Sequence, residues 1–163
     1  MKYQNEDCVD TLIDFEDSPP TPTKSVTLYV ACSRNEVTRA GGWGAIILDD
    51  DGQFQTFAGG EVDTTSYRLE VIGAVKALEA LPQPALVRLV VEDDYLFNGM
   101  TNWIHKWKRT GFKKIKHQDV WGQAGRLIEK HTISSERIHA QEMDPLRNQC
   151  QQLARTQSAI FSN

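Results

Sequence analysis

The chain is short of everything that would tie it to a membrane, an oxidising compartment or a soft metal site. No apolar run approaches the roughly 20 residues that a bilayer crossing needs. The first stretch, MKYQNEDCVD, carries acids where a secretory leader carries bases. Cysteine is scarce: Cys8, Cys32 and Cys150 are odd in number and far apart. They fit neither a disulfide framework nor a zinc site, which leaves reduced thiols and a cytoplasmic setting as the expectation. His105, His117, His131 and His139 show no metal-ligand spacing. No internal repeat is visible, so repeat architectures are set aside.

What is present is an ordinary globular composition. The 163 residues are 40% hydrophobic and 25% charged, enough for one domain with a real core. The charge is unevenly spread. Residues 1–24 hold six acids against Lys2 and Lys24, which accounts for the whole net charge of −4. That stretch ends in Pro19, Pro20 and Pro22 and reads as an acidic, Pro-stiffened tail, with 25–163 as the folded domain. Its apolar bead, Thr11–Phe15 (TLIDF), is a candidate docking element for a protein partner. Within the neutral body, Trp103–Lys116 holds six bases and no acid. An acidic tail and a basic segment in one chain suggest self-masking; a solvated leader is the plainer alternative.

The elements follow from periodicity. In Ser25–Ser33, Val26, Leu28 and Val30 alternate with Thr27, Tyr29 and Ala31, the pattern of a strand. Trp43–Leu48 and Phe54–Gly60 flank Asp49-Asp50-Asp51-Gly52, a hairpin turn. Thr64-Thr65-Ser66 offers cap hydroxyls to a helix reaching Leu81-Pro82, with Leu69, Ile72, Val75 and Leu78 as its buried stripe. Leu86–Glu92 is a strand apolar on both faces. A short helix over Thr101–Arg109, a helix over His117–His131, a fifth strand over Thr132–His139 and a helix over Asp144–Phe161 complete the chain. The order βββαβααβα predicts an α/β fold: a five-stranded mixed sheet, three antiparallel strands then parallel additions, with helices on both faces.

Four passages in that order, GGWGAIIL, TTSYRLEVIGAVKALEAL, VVEDDYLFNGMTNWIHKWKRTGFK and DPLRNQCQQLAR, carry a resemblance. From Ser25 to about Ile160 the chain resembles the bacterial type of ribonuclease H. The resemblance implies the ribonuclease H-like fold and a family activity, cleavage of the RNA strand of an RNA–DNA hybrid. In the family, four carboxylates hold two Mg²⁺ ions, one activating the attacking water and the other stabilising the leaving oxygen. These are an Asp ending strand one, a Glu in the first helix, an Asp ending strand four and an Asp opening the last helix. Here those positions are Ala31, Glu70, Glu92 and Gln151. Two anionic ligands are replaced, so no metal is expected to be required and at most one weakly held Mg²⁺ at Glu70 and Glu92. Asp93 is expected to point to the other face of the strand.

Other departures point the same way. The family's Asp-Gly-Ser is Ala31-Cys32-Ser33, and its glycine-rich loop is the bulkier Arg34–Arg39. Two nucleotide-contacting asparagines are Ser66 and Tyr67, and the mobile histidine falls near Gln141 or Glu142. What remains is the basic, aromatic protrusion. The resemblance implies a nucleic-acid-binding face made of Ser33, Thr65, Trp103, Lys106, Trp107, Lys108, Arg109, Lys113, Lys114 and Trp121. Weak, salt-sensitive binding to a hybrid or other duplex is therefore expected, although the tryptophans could instead pack a helix corner. Three readings result: a binding or regulatory module that has lost cleavage, an active Mg²⁺-dependent hybrid ribonuclease with an altered ligand set, and a protein-interaction scaffold.

Overall fold

The computed structural model describes residues 24–163. The expected tail, its TLIDF bead and the self-masking contact lie outside the described residues. Three strands open the domain: β1 (Lys24–Arg34), β2 (Gly41–Asp49) and β3 (Phe54–Glu61). Both joins are antiparallel. The hairpin turn forms as expected: Asp49 Oδ1 accepts from the N–H groups of Asp51 and Gln53, and Gly52 takes φ +84°. Asp49 is the turn former, and Asp50 pairs with Arg88 at 3.6 Å.

Helix α1 (Ser66–Glu79) begins at Thr65, whose Oγ1 accepts from the Arg68 N–H. That bond satisfies one of the donors every helix start leaves open. Its expected stripe, Leu69, Ile72, Val75 and Leu78, is buried. Strand β4 (Ala85–Val91) then runs parallel to β1. Next comes a helical stretch made of α2 (Tyr95–Asn98), a π-helical turn over Gly99–Trp103 and α3 (Ile104–Arg109). It starts at Tyr95, ahead of the short helix expected over Thr101–Arg109, and the π turn joins the two stretches. Helix α4 (Gln118–Lys130) follows.

The fifth strand is divided. Segments β5 (Thr132–Ile133) and β6 (Ile138–His139) both pair in parallel with β4, at different heights. The polar run Ser134–Arg137 interrupts the ladder between them. Helix α5 (Pro145–Phe161) closes the domain, its Asp144 cap accepting from the Leu146 N–H. The sheet order is β3-β2-β1-β4-β5, the mixed arrangement that the sequence implies.

The alternation in β1 decides the layers. Val26, Leu28 and Val30 join the large core with α1 and α4, while Tyr29 joins a smaller cluster with Ile46, Val90 and Cys150 under α5. Each aliphatic side chain so buried contributes about 1.5–3 kcal/mol. Helix α5 approaches β2 so closely that a Cβ on Gly44 would lie 2.5 Å from the Cys150 carbonyl oxygen. The glycine-rich start of β2 is therefore a packing requirement of the last helix.

Candidate functional site

The pairing of β1 opens a crevice. Its contact with β4 stops at Tyr29 opposite Val90, while its contact with β2 continues to Arg34 opposite Gly41. Ala31, Cys32 and Ser33 therefore have a strand on one side only, at the carboxyl end of a central strand where open α/β sheets place their sites. Helix α1 brings Glu70 to this end, the turn after β4 brings Glu92, Asp93 and Asp94, and the start of α5 brings Arg147 and Gln151.

Each group there is now placed. Ala31 packs against the Tyr29, Ile46, Val90 and Cys150 cluster and contributes only a methyl group. Glu70 is 8% exposed, and its Oε1 has no hydrogen-bond partner among the described residues. Burial, then the charges of Asp93 and Glu92, push its carboxyl up to about 8. Glu92 accepts from Arg147 Nη2 at 2.9 Å. Gln151 Nε2 donates to the Cys32 carbonyl at 3.1 Å, so its amide is turned toward backbone as a donor. The Cys32 thiol is pushed up to about 12, first by burial and then by Glu70.

Asp93 was set apart from the site in the sequence, and Arg147 escaped it altogether. Asp93 lies beyond the end of β4 at Val91, so strand alternation does not govern it, and its charge adds to burial in raising the Glu70 carboxyl. Its Oδ1 also accepts from the Tyr95 N–H. Arg147 had no signal at all, because its partner Glu92 lies 55 positions away. Nearby, Arg137 pairs with Asp94. Two guanidinium groups thus sit on two of the acids at the mouth of the crevice.

This donor set does not fit a pair of divalent ions. A methyl group replaces one ligand, an amide donating its N–H replaces another, and a third is engaged by arginine. Among the described residues no three His, Cys, Asp or Glu side chains come together in a set suited to a metal ion.

The second half of the region is the protrusion. Trp121 is 0% exposed, and its Nε1 donates to the Tyr95 hydroxyl at 3.1 Å. It was expected to face a nucleic-acid strand, but an indole with no exposed surface offers nothing to touch. Its bulk instead supports the protrusion from beneath: a Cβ on Gly99 would lie 2.1 Å from the Trp121 ring. Trp103 and Trp107 are half-buried, 6.0 Å apart, and Trp107 meets Trp121 edge to face at 5.0 Å. Phe112 likewise packs inward, toward Gly125 of α4.

Lys106, Arg109, Lys113, Lys114 and Lys116 are exposed. Lys108 is not free as the segment alone suggests, since Glu129 of α4 accepts from its Nζ at 2.6 Å. Thr65 is exposed but serves as the α1 cap and faces His117 Nε2 at 3.4 Å. Ser33 is half-buried at the end of β1. Arg68, between Glu61 and Asp119, ties α1 to β3 and α4 and lowers the Asp119 carboxyl to about 2.

Sheet order, flanking helices and a basic protrusion carried on a tryptophan base define a ribonuclease H-like domain. The sequence agrees: the RNase H family model matches residues 23–159, and the chain belongs to that family. Ribonuclease H of Maricaulis maris is 39% identical over 139 residues, spanning 80% of this chain and 91% of that protein. Ribonuclease H of Jannaschia sp. is 35% identical over 140 residues, spanning 80% and 88%. Among solved structures, LC9-RNase H1, described as a type 1 RNase H with the type 2 active-site motif, superposes with a TM-score of 0.69 at 20% identity, over 86% of this chain and 75% of that one. A foamy viral protease-reverse transcriptase solved in complex with RNA/DNA hybrid gives a TM-score of 0.65 at 16% identity, over 88% of this chain and 22% of that one. Among the described residues no helix is long and apolar enough to cross a membrane.

Proposed function

We propose that this chain is a ribonuclease H-like module that binds RNA–DNA hybrid or related duplex nucleic acid without cleaving it, in a binding or regulatory role. One observation carries the reading: Glu92 is held by Arg147 in a crevice whose β1 end supplies only Ala31. A cation entering there would compete with a half-exposed ion pair and would find half the family's anionic donors replaced. The exposed bases of the protrusion support retained binding, since phosphate neutralisation needs only cations facing solvent.

A second reading has its own support. Glu70 keeps a carboxylate oxygen free of hydrogen bonds, and Asp93 lies close enough to influence it. An active Mg²⁺-dependent hybrid ribonuclease with a remodelled ligand set would use these two groups. The deciding experiment incubates a labelled hybrid with the protein and Mg²⁺ or Mn²⁺, with Glu70→Gln as control. Binding without cleavage is expected. Metal-dependent cleavage by wild type that disappears in Glu70→Gln would establish the second reading instead. Absence of binding at low salt would reject both and leave the scaffold.

A further inference from the structure

One exposed ring has no part in the core. Tyr67, in the first turn of α1, is 52% exposed. One of its faces lies flat on Tyr95, with centroids 4.1 Å apart and planes within 15°. Among the described residues no second ring stacks on its other face. Tyr95 is itself fixed from below, meeting Trp103 and Trp121 edge to face at 5.9 Å and accepting the Trp121 N–H. The rings form a ladder from solvent at Tyr67 to the fully buried Trp121, and Trp103 in that ladder begins the basic protrusion. A flat face, preorganised by stacking and joined to a cationic surface, has the two components of a single-strand binding platform.

We propose that Tyr67 stacks an unpaired nucleobase of a nucleic-acid strand whose phosphates lie on the protrusion. The inference rests on the nucleic-acid-binding reading above and refines its ligand. Inside a duplex the face of each base is covered by its neighbours, and only edges, sugars and phosphates are presented. A ring offering its face gains little there. At a single-stranded extension or an extruded base it gains a stacking partner, and any base serves because each has a π face. Ordering cost is low, since Tyr95 already holds the ring. The surrounding charge favours a polyanion: Lys106, Arg109, Lys113, Lys114 and Lys116 have no ion pair among the described residues. The bound species is thus a junction between hybrid and single strand rather than a blunt duplex.

The test compares wild type, Tyr67→Ala and Tyr67→Phe by fluorescence anisotropy at low salt. The probes are a blunt RNA–DNA hybrid and the same hybrid with either its DNA or its RNA strand extended by unpaired pyrimidines. Tyr67→Ala should weaken binding to the extended probes about tenfold and change blunt-hybrid binding by less than about twofold, with Tyr67→Phe resembling wild type on all probes. Equal affinity of Tyr67→Ala and wild type for the extended probes overturns the inference, as does an equal loss on blunt and extended probes. Failure of wild type to bind any probe overturns the reading beneath it.

Discussion

At the open end of the sheet, Glu92 is paired with Arg147, Asp94 with Arg137, and the Gln151 amide with the Cys32 carbonyl. On the protrusion, five of six bases project into solvent and only Lys108 has an acidic partner among the described residues. The two regions treat charge oppositely. Where a carboxylate would have awaited a cation, the chain supplies its own cation from α5. On the protrusion, almost nothing internal competes for the bases. An arginine brought by the fold is a counter-ion at fixed high concentration, so an external ion must outcompete it. Charges left to water cost little to keep and stay available. The difference is between acids partly paired within the chain and bases mostly facing solvent.

The largest expected effect tests what carries that open surface. Trp121→Ala removes a fully buried indole under both Gly99 and Tyr95 and should lower stability by about 4 kcal/mol, measured by chemical denaturation. A loss below 1 kcal/mol (an order-of-magnitude threshold) would mean the protrusion stands without its tryptophan base.

Glu70→Gln sharpens the other side. Burial and the neighbouring acids raise the folded-state carboxyl from 4.5 to about 8, while the unfolded chain keeps the ordinary value. Between those values the folded state binds more protons, so stability falls as pH rises through about 8 and is fully retained below 4.5. The glutamine variant lacks that loss. It should be more stable than wild type at alkaline pH, by up to about 5 kcal/mol, with the gap closing toward pH 4. Parallel melting curves across pH would show a Glu70 in an open, solvated crevice.

The smallest effect concerns the bases. Replacing Arg109, Lys113 and Lys114 by alanine should weaken hybrid binding about tenfold and flatten its salt dependence by up to about 0.9 for each phosphate no longer neutralised. Unchanged slope at unchanged affinity would place the hybrid elsewhere.

Much of this architecture was legible in advance because its signals are local. Alternation in β1, the Asp-rich turn, the Thr65 cap and the stripe on α1 depend on neighbours within a turn or a pleat. The π turn was not legible, since a shifted spacing looks like a weak helix. Nor was the Lys108–Glu129 pair, whose partners lie 21 positions apart. Family resemblance located Ala31, Glu70, Glu92 and Gln151, but not what each of them touches.

The amino-acid order alone determined which donors could be present: a methyl at Ala31 and an amide at Gln151 are facts of composition that no folding can change. Only the tertiary structure decided who neutralises whom. Arg147 reaches Glu92 and Trp121 disappears beneath Gly99 because packing of α5 and α4 against the sheet sets those distances. Coulomb energy and stacking depend on separation in space, and separation along a chain does not report it.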